Sequence, residues 1–279
     1  MPGNKIDRAT FINYTTYFLT KTIKYFLFIT YNNVIKTLKK YIKDHVFPSP
    51  VKEREVVEAY NLWSENYDSQ PGNLMLDLDE LLFSKLLNTI EIKNKDVADI
   101  GCGTGRHWAK ILKGGPANLT GFDVSPGMLA KLKEKFPAAQ THTITDNNFS
   151  NIEDYTYDVI ISTLTVAHIE NIEEALEAWC RMLKYKGDII ITDFHPDALA
   201  FGGKRTFSHQ KTQIAVRNFV HSTNIIREIL LRNDLHLVSE DERKIDESVK
   251  HYYTEKNATL VYEKFKGFPI IYGMHFRRA

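Results

Sequence analysis

The sequence predicts an α/β fold, in which a doubly wound, mostly parallel sheet of seven strands carries helices on both faces. Short apolar runs alternate with amphipathic helical segments from residue 96 onward, an order typical of βαβ units. A glycine-rich turn separates the first run from its helix in VADIGCGTGRHW, residues 97–108. The composition, 43% hydrophobic and 25% charged, is that of an ordinary globular protein and is compatible with such a core.

The charge pattern argues against a nucleic-acid partner. The net charge of the 279 residues is +1, so no global attraction to polyanions is expected. The first 50 residues are basic, with eight Lys or Arg and two acids, against 28 and 33 in the rest. The two cysteines, Cys102 and Cys180, form neither a disulfide framework nor a metal pattern. We therefore expect a reducing, cytoplasmic location and no metal.

Residues 1–50 are expected to form an N-terminal helical extension, followed by the main domain, residues 51–279. The aromatic stretch Tyr17–Tyr31 is interrupted by Lys21 and Lys24, which leaves it too short for a membrane span. It also lacks the pattern of a signal peptide. Three roles stay open for this extension: packing on the main domain, covering an active site, or resting on a membrane surface as a peripheral contact.

The elements follow from local pattern. Helical spacing covers Val51–Asn66, Leu76–Ile90, Arg106–Leu112, Pro126–Phe136, Ile172–Lys184, Thr223–Asn233 and Glu247–Phe265. Strands are predicted at Asp96–Ile100, Asn118–Asp123, Gln140–Ile144, Tyr157–Ser162, Asp188–Asp193, Leu235–Glu240 and Phe268–Phe276. Between the fifth strand and the next helix, residues 194–221 are polar and are predicted to be a loop-rich insertion.

The glycine-rich turn narrows the ligand class. A dinucleotide fingerprint needs Gly-x-Gly-x-x-Gly/Ala, but the last position falls on Arg106 or Trp108. A P-loop needs Gly-Lys-Ser/Thr, and Gly105 is followed by Arg106. Asp99 lies just before the loop, where its carboxylate would repel a phosphate and favour an amine. Asp123 ends the next strand, where a carboxylate accepts hydrogen bonds from the two hydroxyls of a ribose. A nucleoside with an ammonium and no phosphate fits S-adenosylmethionine (SAM).

Five motifs in order carry a family resemblance. VADIGCGTGRHW is followed by GFDVSPGML (121–129), Thr145-Asp146-Asn147, YDVIISTLTVAHIEN (157–171) and RMLKYKGDIIITDFHP (181–196). From about Ala59 to the C-terminus the chain resembles a class I SAM-dependent methyltransferase of the small-molecule type 11 branch. The resemblance implies a Rossmann-like methyltransferase fold, SAM as cofactor and methyl transfer as the activity. Lys184-Tyr185-Lys186-Gly187 departs from the family's usual Pro-Gly-Gly turn.

The resemblance also implies a cofactor site. Its residues would be Tyr67, Asp99, Gly101, Cys102, Gly103, Thr104, Gly105, Asp123, Val124, Met128, Asp146, Asn147 and Ser162. Alternatives stay open for several of them. Asp99 as an acceptor of loop N–H groups and Asp123 as a helix cap are purely structural roles. Tyr60 and Tyr67 are candidates to close over the cofactor's methionine end, or for ordinary aromatic packing.

Histidines at the predicted carboxyl ends of strands are the candidates for a catalytic base. A hydroxyl acceptor needs one, and His ionises near neutral pH. His195 and His168 rank first by position, with a turn-fixing role as the alternative for each. Asp193 is expected to orient His195, and Arg205 to pair with an acidic substrate or an internal acid.

The acceptor class is limited by absences. No Asn/Asp-Pro-Pro-Tyr/Phe/Trp motif follows the fourth strand, which argues against methylation of base or glutamine amino groups. No basic stripe with interleaved aromatics appears in the catalytic region. The favoured partner is a small molecule, and an aromatic one is a candidate. The alternatives are a membrane-soluble acceptor such as a quinone precursor, and a non-catalytic SAM-binding regulator. The sequence does not indicate the oligomeric state.

Overall fold

The strands and helices alternate through most of the chain, as a computed structural model shows for residues 51–70, 72–210 and 212–279. The strands are β1 (Lys52–Arg54), β2 (Asp96–Ile100), β3 (Asn118–Asp123), β4 (Gln140–Thr143), β5 (Tyr157–Thr163), β6 (Leu183–Phe194), β7 (Thr206–His209), β8 (Thr212–Val216), β9 (Leu235–Lys244) and β10 (Pro269–Arg278). The α-helices are α1 (Val56–Trp63), α2 (Leu74–Leu87), α3 (Trp108–Lys113), α4 (Pro126–Lys135), α5 (Ile172–Met182), α6 (Pro196–Ala200), α7 (Thr223–Arg232), α8 (Lys250–Thr254) and α9 (Thr259–Phe265).

The main sheet has seven strands in the order β4-β3-β2-β5-β6-β10-β9. Strands β2 to β6 pair in parallel, and β10 runs antiparallel to both of its neighbours, β6 and β9. This confirms the predicted fold class. From β2 the chain moves outward through β3 and β4, then returns to the other side of β2 with β5. The point of reversal is where doubly wound sheets bind ligands, outside the carboxyl ends of the strands.

The two faces of the sheet are covered by different helices, and side-chain alternation assigns the residues to each. Ile189 and Ile191 face the core formed with α5 and α7, whereas Ile190 between them faces α2 and α3. Because successive residues of a strand point to opposite faces, a sheet buried on both sides reads as the continuous apolar runs seen in the sequence.

The insertion differs from its prediction. Residues 194–221 contain the short helix α6 and a hairpin, in which β7 pairs antiparallel with β8. β8 also pairs in parallel with β1, which was predicted as the start of a helix. The register joins Lys52 to Ile214 and Arg54 to Val216. Local spacing could not reveal a partner so far along the chain.

A second difference lies between β9 and β10. The helix predicted over Glu247–Phe265 is divided into a 3-10 turn, Glu247–Val249, and the helices α8 and α9. Asn257, between α8 and α9, has a φ of +54°, a left-handed conformation that interrupts helical hydrogen bonding.

The N-terminal extension predicted for residues 1–50 lies outside the described residues, and so do its three alternative roles. None of the helices in the described ranges has the length and hydropathy of a membrane span.

Candidate active site

The glycines of the loop after β2 are required for different reasons. Gly101, Gly103 and Gly105 all have positive φ, at +73°, +54° and +73°. A Cβ on Gly101 would lie 2.0 Å from the Thr165 hydroxyl oxygen, whereas one on Gly103 would meet nothing within 4 Å. Gly101 is therefore needed by the protein's own packing. Gly103 leaves an open space into which a ligand can approach the backbone.

A buried carboxylate fastens this loop to α2 and β6. Asp79 accepts hydrogen bonds from Arg106, from His107 Nε2 at 2.9 Å and from the Thr192 hydroxyl. Burial alone raises the pKa of Asp79, but the hydrogen bond from His107 and the charge of Arg106 outweigh it, so the pKa lies below its usual value. The loop is thus held from outside as well as by its own turns.

Two cavities meet at the loop. The main cavity, about 170 Å³, lies outside the carboxyl ends of β2, β3 and β5. It is lined by Val56, Val57, Tyr60, Tyr67, Ile100, Gly101, Gly103, Asp123, Val124, Met128, Ile144, Asn147, Phe149, Thr163, Leu164, Thr165, His168, Ile169, Glu170 and Trp179. The smaller loop cavity, about 30 Å³, is lined by Tyr67, Asp99, Gly101, Cys102, Gly103, Thr104, Arg106, His107 and Thr163. Tyr67, Gly101, Gly103 and Thr163 line both.

Most residues predicted for the cofactor site come together here. The main cavity collects Tyr67, Gly101, Gly103, Asp123, Val124, Met128 and Asn147. The loop cavity adds Asp99, Cys102 and Thr104. The parallel strands bring these segments to one edge of the sheet, because their carboxyl ends all lie on the same side.

Three predicted cofactor residues lie elsewhere. Gly105 packs on the side chain of Leu132, 3.0 Å from where its Cβ would be. Asp146 is exposed and accepts from the Asn148 amide at 3.1 Å. Ser162 is fully buried, and its hydroxyl has no partner among the described residues. Since strand residues alternate, Thr163 reaches the cavities in place of Ser162.

His195 is not among the residues that line either cavity. It caps α6, where its Nδ1 accepts from the Asp197 amide at 3.2 Å. Asp193 forms no hydrogen bond with His195, contrary to expectation. Its carboxylate accepts from the Ala167 amide at 2.8 Å and from the Phe194 amide at 2.6 Å. Asp193 therefore holds the 3-10 turn Val166–His168, which carries the other candidate histidine.

His168 lines the main cavity and is locked in one tautomer. Its Nδ1 lies 3.0 Å from the carbonyl oxygen of Arg217, which can only accept, so Nδ1 carries the proton. Its Nε2 therefore accepts from the Tyr60 hydroxyl at 2.9 Å. Burial, followed by the charge of Arg205, lowers the pKa of His168 to about 3. Burial raises the pKa of Tyr60. Both side chains are neutral at pH 7.

Two carboxylates at the loop are buried. Asp123 accepts from the Gly103 amide and the Ser125 amide, each at 2.8 Å. Asp99 accepts from the Trp108 indole at 2.9 Å. Burial raises the pKa of each to about 6. The helix-cap alternative for Asp123 is filled by Ser125, whose hydroxyl accepts from the Met128 amide.

Several lining residues escaped the motif analysis. Val56 and Val57 come from α1, and Ile169 and Glu170 follow the 3-10 turn. Leu164 has a φ of +53°, a strained conformation for a non-glycine residue. No sequence signal marks that strain, because a leucine is an unusual choice for a left-handed turn.

The donor set fits a nucleoside with an ammonium group. Gly103 leaves backbone open, and Asp123 and Asp99 supply buried acceptors at the two cavities. Trp179 also lines the main cavity, and its indole N–H has no acceptor among the described residues. Acceptors for a diol and an ammonium, with a spare donor, are what SAM requires and what a phosphate-rich ligand does not.

A family profile described as "Methyltransferase domain" matches residues 98–191, which run from β2 into β6. This match, together with the fold, supports a class I SAM-dependent methyltransferase. The cofactor of this family is SAM. The matched span holds the glycine loop, Asp123 and the turn that carries His168.

The curated relatives of the chain differ in the activity that their names give. The chain is 26% identical over 181 residues to an uncharacterized methyltransferase of Emericella nidulans, covering 51% of this chain and 62% of that one. It is 31% identical over 135 residues to a tRNA U34 carboxymethyltransferase of Helicobacter pylori, covering 44% and 51%. It is 24% identical over 153 residues to a ubiquinone/menaquinone biosynthesis C-methyltransferase of Campylobacter jejuni, covering 51% and 65%. The chain thus spans between about half and two thirds of these relatives.

Solved structures share the fold of this chain. A magnesium protoporphyrin IX methyltransferase from Synechocystis PCC 6803, with bound SAH, superposes with a TM-score of 0.54 at 14% identity, covering 88% of this chain and 99% of that one. The [4+2]-cyclase SpnF superposes with a TM-score of 0.57 at 15% identity, covering 82% and 98%. At such identities the likeness extends to the fold alone.

Proposed function

We propose that this protein transfers a methyl group from SAM to a small-molecule acceptor held in the main cavity. The observation that carries the proposal is the continuity of that cavity. Its lining runs from the cofactor loop, at Gly101 and Gly103, to the Tyr60–His168 pair. A methyl donor on the loop and an acceptor beside the pair would share one enclosed space, as an in-line displacement needs.

The residues that line the two cavities suggest how the cofactor would be bound. Asp123 would accept from the ribose hydroxyls, and Asp99, with Tyr67 and Thr104 nearby, would receive the methionine end. Gly103 would let the ligand lie against the backbone. When bound, SAM supplies a methyl group on a positively charged sulfonium. The residues of the chain mainly align the acceptor and keep water out, because no charge has to be created on the donor.

The Tyr60–His168 pair would accept the acceptor's proton. As the acceptor oxygen gives up its proton to the Tyr60 oxygen, the Tyr60 hydroxyl proton passes to His168 Nε2. The Nδ1–H bond to the Arg217 carbonyl fixes the ring for this transfer. Because the pKa of His168 is about 3, the pair removes a proton only in concert with methyl transfer and does not ionise the acceptor beforehand.

The lining supports a small, partly apolar acceptor. Val56, Val57, Leu164 and Ile169 line the same cavity as the pair, and Glu170 is exposed there. An aromatic ring fits such a surface. The tRNA and quinone enzymes among the relatives make RNA and a membrane-soluble quinol the alternatives to test.

Binding of the cofactor tests the central claim first. Calorimetric titration should give saturable binding of SAM and of S-adenosylhomocysteine (SAH), and none of NAD or ATP. Absence of SAM binding would contradict the proposal. Bound SAM without transfer to any acceptor would favour the alternative of a non-catalytic regulator.

Transfer of a labelled methyl group tests the acceptor class. Phenols, short-chain quinols and bulk tRNA are offered in parallel, and label is expected in the phenols. Label in tRNA alone would overturn the small-molecule assignment.

The proton pair is tested on whichever acceptor is labelled. His168→Gln and Tyr60→Phe should each lower turnover by about 100-fold or more while SAH affinity stays within threefold. Unchanged turnover in both variants would remove the pair from the mechanism.

A further inference from the structure

Arg205 is a buried charge that forms no salt bridge within 4.0 Å among the residues that the structure describes. The carboxylates of Asp193 and Asp79 act on its charge only from a longer distance. Its side chain lies in the interior, with 6% of the residue exposed. It donates to the Tyr67 hydroxyl at 2.9 Å and to the Leu164 carbonyl oxygen at 3.5 Å, both neutral groups. A buried charge is costly unless it is paired. An arginine with no carboxylate in direct contact can pair with an anion that a ligand brings.

Aromatic rings hold the guanidinium in place. Its central carbon lies 5.3 Å from the ring centroid of Trp63, 5.7 Å from that of Tyr60 and 6.0 Å from that of Tyr67. These cation–π contacts offset part of the desolvation cost. A guanidinium has five N–H donors, and the two neutral acceptors use two of them. Enough donors remain for the two oxygens of a carboxylate.

Arg205 lines a second space, here called the outer cavity. Its volume is about 390 Å³, and it lies between Trp63, the start of α2, the insertion and the helices α8 and α9. Most of its wall is apolar or aromatic, and includes Trp63, Leu74, Phe194, Tyr252, Phe265 and Ile270. A mostly apolar cavity with one fixed charged group is typical of a site for an organic ion.

The charge of the wall favours a monoanion. Two lysines also line the outer cavity, but each has a partner already. Lys204 Nζ lies 3.4 Å from a carboxylate oxygen of Glu53, and Lys256 Nζ donates to the Gly72 carbonyl oxygen at 2.9 Å. A phosphate monoester carries nearly two charges at pH 7 and calls for more than one cation. A carboxylate, with one charge and two oxygens, matches the paired N–H donors of the one guanidinium of Arg205.

We propose that the outer cavity binds an apolar or aromatic carboxylic acid, with its carboxylate on the guanidinium of Arg205. Binding of this acid in the outer cavity does not depend on the proposed methyl transfer in the main cavity. The two can fail separately, because binding is measured without SAM.

The test compares acids with their neutral amides on the full chain. Benzoate, 2-naphthoate and decanoate are each titrated beside the matching primary amide, with Trp fluorescence and calorimetry as readouts. At least one acid should bind tenfold or more tightly than its amide. Arg205→Met should abolish that preference, and Arg205→Lys, which keeps the charge but loses the fork, should reduce it severalfold. Arg232→Met, which removes an exposed guanidinium of α7 outside the outer cavity, is the control and should leave the preference within threefold.

The same variants separate this site from the cofactor's own carboxylate. SAH should bind Arg205→Met within threefold of its wild-type affinity. No preference for any acid, or a preference that survives in Arg205→Met, would overturn the proposal. So would a tenfold loss of SAH affinity in Arg205→Met and Arg205→Lys alike, because the guanidinium would then serve the cofactor. If Arg205→Met does not fold, Arg205→Lys and the wild-type acid–amide comparison decide.

Discussion

The proposed cofactor side and the proposed acceptor side of the candidate active site are built differently. On the cofactor side, Asp99 and the three glycines stand within seven consecutive residues, and Asp123 follows one strand later. On the acceptor side, Tyr60, His168 and Arg205 come from α1, a 3-10 turn and the insertion. The first set is positioned by backbone turns and strand ends, whereas the second meets only through side-chain contacts.

The difference implies that the two sides respond differently to mutation. Backbone conformation and buried hydrogen bonds fix the cofactor side, so changes there should affect stability and cofactor affinity together. The acceptor side rests on aromatic packing and single hydrogen bonds, so changes there should leave folding and SAH binding largely intact. Four predictions test this contrast, from the largest expected effect to the smallest.

Asp79→Ala should be the most damaging. It leaves Arg106 and His107 without the buried carboxylate that ties the loop to α2, and breaking such a pair costs about 3–5 kcal/mol of unfolding free energy. Urea unfolding measures the loss. The neighbouring Glu80, whose side chain is 45% exposed, is the control, and Glu80→Ala should cost about 0–1 kcal/mol. Equal losses in the two variants would contradict the buried network.

Gly101→Ala and Gly103→Ala should separate packing from ligand approach. At Gly101 the new methyl collides with Thr165 in a left-handed conformation, which should cost about 2–4 kcal/mol of stability. At Gly103 only the conformational strain acts, about 1–2 kcal/mol.

For SAH affinity we expect the effect at Gly103, because the methyl group of its Ala variant would occupy the open space beside the loop. Gly103→Ala should therefore lose at least tenfold in SAH affinity although it stays folded. Full SAH affinity in folded Gly103→Ala would show that the ligand does not approach the backbone there.

The pH dependence of SAH binding should report the loop carboxylates. Burial raises the pKa of Asp99 and of Asp123 to about 6. If the ionised forms accept hydrogen bonds from the ligand, affinity is full well above pH 6 and falls as pH falls through 6. Between pH 8 and pH 5 each group contributes about tenfold. Asp123→Asn should weaken binding at pH 8 and flatten part of this profile. A profile that rises toward acid pH would contradict these roles.

His195→Ala should have the smallest effect. The histidine caps only α6, a helix of five residues, so about 0.5–1 kcal/mol of stability is at stake. SAH affinity and methyl transfer should both stay within twofold. A large loss of turnover with intact SAH binding would instead indicate that His195 acts on the acceptor, and would contradict its assignment as a helix cap.

Local pattern determined a large part of this protein. Apolar periodicity placed the seven strands of the main sheet, and β2 and β3 have the predicted bounds. The spacing of the glycines and the acids at or near the ends of two strands indicated the cofactor. Both features can be read from consecutive residues, because a glycine turn lets a ligand approach the backbone and a strand end places its acid at the edge of the sheet. The same reasoning predicted Ser162 for the cofactor site, but side chains alternate along β5 and the next residue, Thr163, lines the cavities.

Only the tertiary structure decided the acceptor side. The pairing of β1 with β8, the bond between Tyr60 and His168 and the aromatic surroundings of Arg205 join residues more than 100 positions apart. The position after a strand made His195 and His168 equal candidates by sequence. In the fold, the His195 ring caps helix α6, whereas the His168 ring forms a hydrogen bond with Tyr60. Chain folding sets such directions, because a side chain's partners depend on which elements pack around it and not on its neighbours in sequence.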